Sequence, residues 1–201
     1  GFSMDEAIAE NPELNGSVLK SLLQTLTGKG RLKLPSNLLH LSAIRLHADS
    51  SLEVNTRRDL LDQVQQGVLT YDFGDEQWQV CGVYFETLAP SYDPMHPQSG
   101  AAYTHHFFGK FERELPRENH NALNFFFSDE LNFRVDGNLW NAYFADAFQK
   151  RKGYDVVPFL DALYRDIGAI TPKIKLDYND VLVGLSEAHF FQPVYEWHQA
   201  R

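Results

Sequence analysis

Residues 123–130 read Leu-Asn-Phe-Phe-Phe-Ser-Asp-Glu, an apolar run that stops at two adjacent carboxylates, Asp129 and Glu130. Several bulky residues in a row with polar boundaries suit a β-strand buried on both faces. In barrel and open α/β enzymes, chemistry collects where such strands end. A carboxyl at that rim is partly desolvated, so it can hold a proton near neutrality and donate it. Ser128, Asp129 and Glu130 also suit a loop start or a helix N-cap, which favour the same residue types. On an extended chain Asp129 and Glu130 point opposite ways. One can face a pocket while the other bonds to structure or holds a cation.

Working outward, elements of both kinds alternate. Pro12 and Gly28 bracket Val18, Leu19, Leu22, Leu23 and Leu26 at helical spacing, which predicts a helix. Residues 38–48 read as a strand, and 57–65 as a short helix capped by Asn55 or Thr56. Residues 68–71 and 78–87, joined through Gly74-Asp75-Glu76, read as a β-hairpin within an insertion at 67–88. Further helices are expected at 98–114, from 139 to a stop at Gly153, from Pro158 to Tyr164, and from about Asp177 onward. This order predicts a single α/β domain, part of a (β/α)8 TIM-type barrel carrying an inserted β-hairpin. The chain opens Gly-Phe-Ser-Met and is still helical in pattern at Arg201, so the expectation is a piece of a larger parent polypeptide.

With 201 residues, 43% of them hydrophobic, the chain can bury a core. Its 15 Phe, 9 Tyr and 3 Trp serve cores first and sugar platforms second. Trp78, Trp140 and Trp197 each fit either role, with Trp140 the closest to the acidic loop. A net charge of −9 and no cluster of basic residues among aromatics disfavour nucleic acid. Arg57-Arg58, followed by Asp59 and Asp62, read as a solvated helix face. No apolar run reaches membrane-spanning length. The lone Cys81 lies in an apolar alternating segment, as a buried inert thiol would.

Glu130 is the first choice for a catalytic acid. A glycosidase needs a second carboxylate about 5 to 9 Å away. Asp136, Asp93 and Glu187 are the candidates for it, and none has a comparable strand-end signature. Asp93, Asp129 and Trp140 are candidate substrate contacts. His105 and His106 are adjacent, which splays them about 100° apart on a helix and spoils a shared zinc. A hard cation held by the acidic loop from Ser128 to Asp136 suits the residue types better. Nucleophile-elbow and phosphate-loop motifs are absent.

The order of motifs is similar to a known family. Asn11-Pro12-Glu13-Leu14, residues 66–78 (Gln-Gly-Val-Leu-Thr-Tyr-Asp-Phe-Gly-Asp-Glu-Gln-Trp), Asp93-Pro94-Met95-His96-Pro97, Phe127-Ser128-Asp129-Glu130, and the segment from Phe148 to Leu160 carry the likeness. Together they resemble the catalytic barrel of bacterial glycoside hydrolases of the α-L-rhamnosidase family 106 type. The resemblance implies a carbohydrate substrate, an inverting outcome, Glu130 as general acid, and calcium near the sugar with Asp129 as a ligand. It also implies a periplasmic or secreted protein. Family members are several times longer, and the strands that carry their catalytic base have no counterpart here. The alternative is a non-catalytic carbohydrate-binding or scaffold α/β domain. A metal-dependent hydrolase using His105 or His106 is a third reading.

Overall fold

The computed structural model describes residues 4–116, 118–119 and 131–200. Its strands are β1 (Ser17–Leu26), β2 (Lys29–Lys33), β3 (Leu38–Leu46), β4 (Leu52–Asp59), β5 (Val64–Gln65), β6 (Val68–Asp72), β7 (Trp78–Thr87) and β8 (Leu139–Trp140). Its helices are α1 (Asp5–Glu10), α2 (Ser99–Tyr103), α3 (Gly109–Glu114), α4 (Phe144–Lys152), α5 (Thr171–Ser186) and α6 (Gln192–Gln199). Short 3₁₀ segments cover Pro12–Leu14, Leu61–Gln63 and Val157–Leu163, and π-helical turns cover Thr104–Phe108 and Glu187–Phe191.

The barrel expectation fails on strand direction and closure. β1 with β8, β2 with β6, β3 with β4 and β7, and β5 with β6 all pair antiparallel. One sheet runs β4-β3-β7-β1-β8 and the other β2-β6-β5, and the larger sheet is not closed. A TIM barrel needs eight parallel strands in a ring. The expected hairpin of 67–88 is corrected too: β6 pairs with β2 and β5, while β7 pairs with β3, in the other sheet.

Leu139 and Trp140, expected to open a helix, form β8, and the helix starts at Phe144; two further assignments change for identifiable reasons. Residues 18–26 form a strand, not a helix. Val18, Leu22 and Leu26 are spaced by four, which places them on one face of a helix and equally on one face of a strand. Leu22 and Leu26 pack on a buried apolar cluster, while Leu23 is 47% exposed. The helix expected at 57–65 is not there: residues 57–59 end β4 and residues 64–65 are β5. Leu52, Val54 and Thr56 alternate with Glu53, Asn55 and Arg57, a period-two pattern that polar residues disguise.

The chain divides into two compact units. Unit 2 comprises residues 19–86 and 142–181. There β3 is buried from His40 to Ile44, and its alternation sorts two environments. Leu41 and Ala43 join Leu32, Leu60, Leu69, Phe73, Trp78 and Val80 in the apolar cluster. His40 and Ser42 reach Asp161 in the 3₁₀ segment. α4 brings buried Phe144 and Phe148 inward and ends at Gly153, whose φ of 79° is the left-handed cap that glycine accepts most cheaply.

Unit 1 comprises residues 1–18, 87–141 and 182–201. Met4, Ala7, Ile8, Leu14, Tyr92, Tyr103, Phe108 and Phe190 form its core. Gly100 is forced by close approach, because a Cβ there would meet the carbonyl oxygens of Phe190 and His189 at 2.7 and 2.8 Å. The first residues of β1 pair with β8, Ser17 opposite Trp140 and Val18 opposite Leu139. Among the described residues, no helix is long and apolar enough to cross a membrane.

Replacing Leu41, which is 0% exposed, with alanine should cost about 2–5 kcal/mol in urea unfolding. Leu23→Ala should stay within about 0.5 kcal/mol, as an outward strand residue would. Comparable losses at both positions would contradict the strand assignment of β1.

Candidate functional site

Asp161 and Asp93, the two most deeply buried carboxylates among the described residues, organise the polar chemistry, one in each unit. In unit 2, alternation sends Arg57 of β4 to the Asp161 side and Arg58 to the other, where its guanidinium lies 4.6 Å over the Trp78 ring. The pair is therefore no solvated helix face. Asp161 is 0% exposed. Its Oδ2 accepts from Ser42 Oγ at 2.6 Å, Arg57 Nε at 3.0 Å and Arg165 Nη2 at 3.1 Å, and its Oδ1 from Arg57 Nη2 at 2.8 Å. His40 Nε2 stands 3.5 Å from Oδ1. Arg165 also donates to the Gln79 carbonyl at 2.8 Å and to Ser42 Oγ at 2.8 Å.

A carboxylate offers about four lone-pair positions, and here they are filled. Burial alone would push the Asp161 carboxyl up. Hydrogen bonds from His40, Arg57 and Ser42 more than reverse that and hold it far below the usual range. Such a group stays charged and has no vacancy for a substrate proton. It is a structural anchor. Beside it Cys81 is buried, and desolvation pushes its thiol up to about 11, so it is an inert thiol.

In unit 1 the loop leading to α2 carries Asp93, a sequence-derived candidate. Backbone bonds fix it: Asp93 N–H donates to Leu14 O and Tyr92 N–H to Phe133 O, each at 2.8 Å. Ser91 ties the same loop to Gly16, accepting its N–H at 2.8 Å. Asp93 is 2% exposed. Its Oδ1 accepts from Met95 N–H at 2.9 Å and its Oδ2 from Asn141 Nδ2 at 2.8 Å. Burial raises the Asp93 carboxyl above its ordinary value, against the pull of Asn141, the Met95 N–H, His96 and His189. His96 and His189 complete this cluster. His189 Nδ1 bonds to Met95 O at 2.6 Å, and the Gln98 N–H donates to His96 Nδ1 at 3.2 Å.

The other sequence-derived positions are scattered. Asp129 and Glu130 lie outside the described residues. Trp140 is buried in β8, next to Asn141, and is 6% exposed. Trp78 is core, and Trp197 packs on the core of unit 1. Asp136 and Glu187 are exposed. His105 and His106 sit on the first π turn with ring centroids 5.0 Å apart, and His106 Nε2 is 3.6 Å from Glu10. Among the described residues, no group of three or more His, Cys, Asp or Glu could hold a metal ion. Sequence reasoning passed over Asp161, Arg165 and His40, because each stands in an apolar stretch without a motif. A charged residue inside such a stretch is itself the signal, since buried charges occur paired.

No protein-family model matches the sequence, and no curated protein does. Among solved structures the chain is similar to a rhamnosidase from Novosphingobium sp. PP1Y, at 17% identity and a TM-score of 0.44. The likeness covers 72% of this chain and 16% of that one. It is a weak structural neighbour.

Asp161→Asn should destabilise the protein by about 3–5 kcal/mol at pH 7, because Arg57 and Arg165 lose the charge that offsets their burial. The folded carboxyl titrates below its unfolded value. Its contribution is therefore present above the unfolded pKa near 4 and decays as acid approaches the folded one. Urea midpoints should show the gap between wild type and variant narrowing below about pH 4; a gap independent of pH would contradict the ion cluster.

Proposed function

We propose that the chain is a non-catalytic carbohydrate-binding and scaffold domain of a glycoside-hydrolase-related protein. One observation carries this reading. Phe191 and Tyr195, four residues apart and therefore on one helical face, are 49% and 58% exposed. Gln192 and Glu196 lie beside them, joined by an amide-to-carboxylate hydrogen bond of 2.7 Å. Exposed aromatic faces take the apolar face of a pyranose, and a neighbouring amide and carboxylate take its hydroxyls. Support also comes from Asp161, whose acceptor positions are consumed by Ser42, Arg57 and Arg165.

A second reading keeps the hydrolase, with Glu130 as acid and Asp93 as the partner carboxylate. Its support is the burial that raises Asp93 in a loop of the resemblance motif Asp-Pro-Met-His-Pro. Calcium held at Asp129 belongs to this reading.

Calorimetric titration of the whole chain with a panel of oligosaccharides, including L-rhamnosides, separates the readings. Binding without turnover, weakened about five-fold or more by Tyr195→Ala or Phe191→Ala, is expected, since one stacking contact is worth roughly 1 kcal/mol. Glycoside turnover that Glu130→Gln abolishes would replace the first reading with the second. No binding to any saccharide on the panel would remove the carbohydrate assignment.

A further inference from the structure

We propose that residues 93–99 form an acid-released latch at the start of α2, with the His96 ring as its trigger. The trigger follows from hydrogen-bond polarity. A backbone N–H can only donate, so the 3.2 Å bond from Gln98 N–H to His96 Nδ1 requires a lone pair on that nitrogen. The neutral ring therefore carries its proton on Nε2. A second proton has to go to Nδ1, and there it displaces the Gln98 bond.

His189 holds the same segment with the opposite polarity. Its Nδ1 meets the Met95 carbonyl at 2.6 Å, so that nitrogen carries a proton. Charging His189 places the new proton on Nε2 and leaves the bond intact. Of the two rings that grip this loop, only His96 loses its grip on protonation.

Among the described residues, the charged groups facing His96 include members of three segments. Asp93 of its own loop and Glu13 of the Pro12–Leu14 segment favour the charged ring. His189 of the second π turn opposes it once protonated. Desolvation outweighs the two carboxylates and lowers the His96 pKa below its ordinary value. The unfolded chain therefore takes up this proton before the folded one does. Stability from the neutral ring is complete above the ordinary imidazole range and is lost as pH falls from there through the folded value.

The bonds that depend on the turn are few. His96 N–H donates to Asp93 O at 3.3 Å, Ser99 N–H to His96 O at 2.9 Å, and Tyr92 OH to Ser99 O at 2.6 Å. Ser99 Oγ is buried with no hydrogen-bond partner among the described residues, so the turn already carries one unsatisfied group.

The test follows single amides of the full chain by NMR. Protection factors of the Gln98 and Ser99 amides are measured from pH 7.5 to pH 4.5 with the His96 ring shifts. In wild type, protection at both amides should fall at least ten-fold in step with His96 titration. His96→Asn keeps an acceptor at the position of Nδ1 but does not titrate, and it should hold its protection across the range. The latch is overturned by a His96 ring that stays neutral throughout, by a ring that charges while Gln98 stays protected, or by the same acid loss in His96→Asn. Should that variant fail to fold, the wild-type comparison of ring and amide decides alone.

Discussion

Unit 2 depends on the carboxylate of Asp161 holding two arginines out of water. Taking charges from water costs several kcal/mol each, and they return it only when geometry and hydrogen bonds are nearly complete. Here Arg57 approaches with two nitrogens, Arg165 with one, and Ser42 bridges, donating to Asp161 and accepting from Arg165. The consequence is register. β3 must present His40 and Ser42, β4 must present Arg57, and β7 must present the Gln79 carbonyl toward one point. A slip of one residue in any strand would turn those groups into the apolar cluster of Leu41, Ala43 and Val80. The cluster therefore selects one strand pairing, whatever it adds to stability.

Asp161 and Asp93 move in opposite directions for reasons visible in their partners. Asp161 meets His40, Arg57 and the Ser42 hydroxyl, so its charge is stabilised beyond the cost of burial. Asp93 meets an amide, a backbone N–H and, among the described residues, two nearby histidines, and burial wins. Ionic anchoring and proton exchange need these different environments. Of the pair, burial therefore favours the protonated form at Asp93, in the loop before α2.

Several single elements were legible in the sequence, but the architecture was not. β3, β6, β7, α4 and the helix around residues 98–114 follow from periodicity and from Gly153. The helix expected at 18–26 fails because a spacing of four satisfies both periods, so nothing local separates them. β4 was hidden because its inward polar residue, Arg57, is buried by a partner more than 100 residues away, at Asp161. α5 begins at Thr171 rather than near Asp177, and Thr-Pro at its start is a helix opening that the apolar pattern alone does not weigh. The barrel was inferred from alternating elements, yet alternation says nothing of strand direction, which long-range pairing decides. For the site, Asp93 was legible as an acid in a Pro-bounded loop, but its partners Asn141 and His189 come from distant segments that no spacing rule connects.

Acid therefore meets the two units with different resistance. Asp161 keeps its charge far into acid because protonating it would leave Arg57 and Arg165 buried and uncompensated. At His96 the neutral ring is favoured by desolvation, by His189 and by the Gln98 N–H bond, against the attraction of Asp93 and Glu13. The charge of Asp93 favours the protonated His96 ring, so the two groups are coupled. Opening at residues 93–99 is thus a local event in unit 1, graded by pH, while the ion cluster that fixes strand register in unit 2 stays intact.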